Sequence, residues 1–201
     1  MKRILFALTL LAVALPAMAQ QQTLLGGNIY HHGGYGGPAI STTQIGPNSD
    51  TAMLVGGHGG WLINHQFIIG GGGYGVVNTI DVDWQETPVP MQMQLGYGGI
   101  YLGYIRNPNT LTHFMVDALI GWGGAGIHDK DWENTEEDDM YASDAFFVLE
   151  PGVHLELNVT DFFRVMVGAT YRHIEGADVA GLTDENLSGL SGKLTFKFGS
   201  F

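Results

Sequence analysis

The sequence predicts an all-β fold: a closed, antiparallel, eight-stranded transmembrane β-barrel with short periplasmic turns and longer acidic extracellular loops. Three observations predict it. Eight stretches alternate apolar and polar residues with a period of two. The connections between them are by turns short and long, as when an even number of strands carries tight turns on one rim and loops on the other. An export leader stands in front of them.

In the leader, Lys2 and Arg3 form a basic n-region, Ile4 to Leu15 an apolar stretch of twelve residues, and Ala17-Met18-Ala19 a small-residue cleavage pattern. Twelve residues fall short of the ~20 that a spanning helix needs. A cleavable signal peptide is therefore expected over 1–19, with Gln20 the first mature residue. The chain has no cysteine, so neither a disulfide framework nor an acylated lipoprotein anchor is expected. Residues 20–34 are expected as an N-terminal periplasmic segment, either a tail or an early extension of the first strand. Residues 35–201 form the barrel.

The expected strands are Tyr35–Ile45, Thr51–Asn64, Gln66–Ile80, Gln92–Arg106, Thr112–Ile127, Asp144–Asn158, Asp161–Ile174 and Ser188–Phe201. A tilted strand crosses a bilayer with ~9–11 residues, so each is long enough. Asn64–Gln66, Asn107–Leu111 and Val159–Thr160 are tight connections. Asp81–Met91, His128–Ser143 and Glu175–Leu187 are long, and Gly46–Asp50 falls on their side. Pro38 and Pro151 lie inside strands, where a missing N–H is expected to mark a bulge or a strand end. The chain's 31 glycines accompany abundant β-branched and aromatic residues, which points to bends and close backbone approach rather than disorder.

Faces are legible on four strands. Phe147, Leu149, Val153, Leu155 and Leu157 oppose Glu150, His154 and Glu156. Phe163, Val165, Val167, Ala169 and Tyr171 oppose Arg164, Met166, Thr170 and Arg172. Leu194, Phe196 and Phe198 oppose Lys193, Thr195 and Lys197, and Phe114, Val116, Ala118, Ile120 and Trp122 oppose Asp117. A cation facing lipid at the midplane costs ~2–4 kcal/mol. Four of them would consume most of a domain's stability of ~5–15 kcal/mol. A lumen charge network of Asp117, Glu150, Glu156, Arg164, Arg172, Lys193 and Lys197 is therefore expected.

Without the leader the chain carries six basic and twenty acidic residues, a net charge of −14. The four outer connections hold fifteen of the acids and one base, Lys130, which accounts for that whole charge. The barrel body is neutral and the loops are acidic. Nucleic acid needs a basic face and is excluded as a partner. Trp61, Tyr104, Phe114, Phe163 and Phe198 near the tight turns, with Trp122 and Tyr171 near the long loops, match the girdles of a membrane interface.

With these strands in place, the chain resembles the small eight-stranded outer-membrane barrels of the OmpA/OmpX type, over roughly Tyr35 to Phe201. The terminal stretch Leu194-Thr195-Phe196-Lys197-Phe198-Gly199-Ser200-Phe201 is similar to the aromatic-ended assembly signal of that class, although Phe201 is out of phase with Leu194, Phe196 and Phe198. The glycine runs Gly56–Gly60 and Gly70–Gly75 resemble uncharacterised glycine-rich members. The resemblance implies location in the cell outer membrane, with outer-membrane lipid and the outer-membrane assembly machinery as partners, and a monomer.

Candidate chemistry is sparse. An eight-stranded interior is narrow enough to be filled by its own side chains, so paired charges are expected before an ion path. Asp129, Asp131, Glu133, Glu136, Glu137, Asp138 and Asp139 could hold a hard divalent cation, or bridge one to lipid headgroups. They lack the spacing and turn glycine of an EF-hand. Eight histidines show no zinc or metalloprotease spacing. His154 with Glu150 or Glu156, or His173 with Glu175, could pair a base with an orienting acid, but no nucleophile stands beside either. The expected function is a non-enzymatic outer-membrane protein that stabilises the envelope or presents acidic loops for surface interaction. It would need no cofactor. A narrow channel, a lipid-modifying enzyme and a soluble lipocalin-like carrier are the alternatives.

Overall fold

The computed structural model describes residues 32–46, 48–82, 91–129, 140–179 and 182–201. Eight long strands close into a ring: β1 (His32–Ile45), β2 (Asp50–Ile63), β3 (Phe67–Val76), β5 (Met91–Arg106), β6 (Thr112–Asp129), β7 (Met140–Asn158), β8 (Phe163–Glu175) and β9 (Gly189–Ser200). Each pairs antiparallel with the next, and β9 pairs with β1 to seal the barrel. A two-residue strand, β4 (Asp81–Val82), lies against the start of β5. Closure gives each of the eight long strands a partner on both sides, which is how β-structure avoids exposed backbone donors in lipid.

Sequence and structure differ at several boundaries. β1 begins at His32, so residues 32–34 extend the first strand; the leader and residues 20–31 lie outside the described residues. β3 stops at Val76 rather than Ile80, because Asn78 replaces backbone pairing with its side chain. Its Oδ1 accepts from Met53 N–H at 2.6 Å and its Nδ2 donates to the Thr51 carbonyl at 2.9 Å.

Neither proline marks a bulge or an end, contrary to expectation. Pro38 pairs with Gly57 on one side. On the other the ladder to β9 lapses between Gly36–Phe198 and Ala39–Thr195 without a change of register. Pro151 pairs with Ala118, and the β7–β8 ladder lapses between Leu149–His173 and Gly152–Thr170. A missing N–H thus removes local pairing to one neighbour while the long flanking ladders hold register. The register shift lies instead at Ile127–His128.

On one rim the connections are residues 64–66, 107–111 and 159–162. Asn64, His65 and Asn107 take positive φ (52°, 57° and 55°), the conformation that matches a tight hairpin to the twist of its strands. At the other rim the chain after β8 folds inward. Thr183 N–H donates to the Asn186 side chain across a capping box and starts the single turn α1 (Asp184–Leu187). Val179, Leu182 and Leu187 are buried there with Ile45, Ile80 and Ile174 as an apolar cap on the β8–β9 side of this rim.

Glycine brings the β5 and β6 backbones close. Gly99 and Gly121 are direct partners. A Cβ on Gly121 would sit 2.1 Å from the Gly98 carbonyl oxygen and 2.6 Å from Gly99 Cα, all rigid backbone. Gly121→Ala is expected to cost about 1–3 kcal/mol by forcing this seam apart. Denaturant unfolding of the detergent-folded protein measures it, and an unchanged midpoint would show that the seam yields freely.

Candidate functional site in the barrel lumen

Period-two alternation sends every second side chain into the lumen, and on β6 to β9 those side chains carry the charge. Glu150, Glu156, Arg164, Arg172, Lys193 and Lys197 are all buried, and the Asp117 carboxylate is 4% exposed. They form tiers along the axis.

Nearest the short-turn rim, Glu156 gathers three partners: Lys197 Nζ at 2.5 Å, Arg164 Nη1 at 3.0 Å and His113 Nε2 at 3.1 Å. Below them Phe201 turns inward. The Arg164 guanidinium carbon lies 4.0 Å from its ring centroid, and the ring stacks on Tyr35 at 5.9 Å. The out-of-phase terminal aromatic is thus a lumen residue, because it shares the parity of Lys193 and Lys197. In the middle tier Asp117 accepts from Tyr101 Oη at 2.5 Å and meets His154 Nε2 at 2.9 Å. Tyr101 stacks on His58 at 4.2 Å, and His58 Nδ1 reaches Tyr74 Oη at 3.1 Å. In the upper tier Glu150 accepts from both Lys193 Nζ and Tyr97 Oη. Lys193 Nζ also sits 4.1 Å over the Tyr74 ring, a cation–π contact that strengthens where water is excluded.

His154 therefore meets Asp117 rather than Glu150 or Glu156. Residues two apart on one strand face the same way but stand roughly 7 Å apart, whereas a neighbouring strand brings diagonal partners within reach. His113 takes Glu156, its direct partner in the β6–β7 register. Sequence reasoning missed the lumen aromatics Tyr35, Tyr74, Tyr97 and Tyr101, together with His58. Several are flanked by glycine, which hides alternation because the intervening residues carry no side chain.

The outer wall is apolar. Ile69, Ile100, Val116, Val153 and Val167 are large and exposed. Trp61, Tyr104, Phe114 and Phe198 project outward near the short-turn rim, with Phe163 half-buried against Phe198 at 4.9 Å. Trp122 and Tyr171 project outward nearer the other rim, Trp122 being 71% exposed. Of the acidic cation loop, Asp129 ends β6, and Asp131, Glu133, Glu136, Glu137, Asp138 and Asp139 lie outside the described residues. No group of three or more metal-ligating side chains occurs among the described residues.

No family model and no curated protein matches the sequence. Solved structures match the shape. Neisserial surface protein A (NspA) superposes with a TM-score of 0.59 at 13% identity, covering 84% of this chain and 96% of its own. The chain has the fold of the small eight-stranded outer-membrane β-barrels. Ail, the attachment invasion locus protein of Yersinia pestis, also matches, with a TM-score of 0.46 at 12% identity over 84% of this chain and 97% of its own. At 13% identity the likeness to NspA shows the shared fold.

Proposed function

We propose that this chain is a non-enzymatic barrel of the outer membrane that stabilises the envelope or serves surface interaction through its loops. The observation that carries this reading is the inversion of polarity. Carboxylates, lysines, arginines and tyrosines close on one another inside, and large apolar residues cover the outside. Such a wall suits hydrocarbon on its exterior. A soluble carrier would need a polar outer surface, whereas large apolar residues cover this one. The lumen tiers fill the interior with bonded side chains, which favours an anchor over a pore. The His154–Asp117 contact is enclosed in that packing, which speaks against its serving as a lipid-modifying centre. The acidic long connections are then the working surface, suited to a cationic partner or to divalent cations that bridge carboxylates to anionic headgroups.

Membrane fractionation with gel mobility before and after boiling tests the location. The unboiled protein is expected in the membrane fraction with shifted mobility. Recovery in the soluble fraction without detergent would overturn the reading. In planar bilayers no discrete conductance is expected. A steady conductance whose selectivity changes on replacing Lys193 or Lys197 would establish a narrow channel instead.

A further inference from the structure

Arg172 is the one lumen cation without a carboxylate partner among the described residues. Its side chain is fully buried on β8 beneath the apolar cap. Nε donates to the Leu187 carbonyl at 2.8 Å and the guanidinium carbon lies 5.9 Å from the Tyr97 ring centroid, but Nη1 and Nη2 have no hydrogen-bond partner among the described residues. Glu150 is the acid nearest in register, and its two oxygens bond Lys193 and Tyr97 rather than Arg172. Thr170 Oγ1, two residues away on the same inward face, is buried and also lacks a partner. Between the cap and the short-turn rim, the lumen-facing Arg164, Arg172, Lys193 and Lys197 meet Asp117, Glu150 and Glu156, an excess of one positive charge among the described residues.

A guanidinium always carries its charge. A buried charge with its donors unmet is among the costliest arrangements in a protein, and a counter-ion removes that cost. Water would satisfy the N–H groups but leave the excess charge. We propose that the lumen holds a small inorganic anion, chloride in the cell, bound by Arg172 Nη1 and Nη2 with the Thr170 hydroxyl as a further donor. Arg172 is fully buried, which leaves room at Nη1 and Nη2 for no more than a monoatomic or similarly small ion. The site lies inside the barrel wall and is independent of any partner that the loops take.

The test refolds the whole chain into detergent in sodium chloride, sodium bromide or sodium gluconate at equal ionic strength. Unfolding temperature is then read against anion concentration. A saturable rise with chloride and bromide, and none with gluconate, is expected. Arg172→Gln should abolish the halide dependence, while Lys130→Gln on the outer connection should retain it. Equal unfolding temperatures in all three salts would overturn the proposal, as would a halide dependence that survives Arg172→Gln. Should the variant fail to fold, crystals of the wild-type protein grown in bromide decide the matter. An anomalous peak within hydrogen-bond reach of Arg172 supports the site, and a water molecule or nothing there refutes it.

Discussion

Replacing Glu156 with alanine is expected to lower the unfolding free energy by about 3–5 kcal/mol, the cost of stranding buried charges by removing their partner. Glu156 is the anion common to Lys197, Arg164 and His113, and the Glu156 and Lys197 side chains are fully buried. Its removal leaves two permanent cations in a space shielded by the barrel wall. The Phe201 and Tyr35 rings beside them compensate only in part, since cation–π contacts contribute about 0.5–2 kcal/mol. The double variant Glu156→Ala with Lys197→Met should recover part of the loss, because it removes a stranded charge together with its partner. Urea unfolding of barrels folded into lipid vesicles measures both. A loss below about 1 kcal/mol for the single variant, the range of exposed pairs, would mean that water reaches this tier.

Arginine at Ile100 is expected to cost about 2–4 kcal/mol, the penalty for a cation at the bilayer midplane on the lipid side of a barrel. Ile100 lies mid-way along β5, 58% exposed, between the inward Gly99 and Tyr101. The same change at Val159, exposed in a turn, should be nearly neutral. Folding yield and unfolding free energy in vesicles distinguish the two positions. Equal effects would show that no hydrocarbon layer contacts the wall at Ile100, which would leave the barrel as a water-soluble shell.

Both outcomes depend on side-chain parity, and parity was readable wherever a strand carried charge. On β6 to β9 the alternation of Phe, Val and Leu with Glu, Arg and Lys assigned each residue to a side, because a misplaced cation costs more than any rearrangement returns. β2, β3 and β5 gave weaker signals. With glycine at so many of their positions, two registers related by a shift of one residue look alike in sequence, and His58, Tyr74, Tyr97 and Tyr101 passed unnoticed as lumen residues. Pairing decided them: Gly57 opposes Gly73 and Tyr74 opposes Tyr97, which sets the whole glycine seam in one register.

From its sequence alone the chain determined that it would be an eight-stranded cylinder with ions inside and apolar residues outside, since period-two patterning and the cost of charge in lipid are both local properties. Only the tertiary structure decided who pairs with whom. His154 takes Asp117, Glu156 serves Lys197, Arg164 and His113, Phe201 closes on Arg164, and Arg172 is left over beneath its cap. Those choices depend on the relative slide of neighbouring strands around a closed ring, where a partner is set by diagonal distance across a seam and not by spacing along the chain.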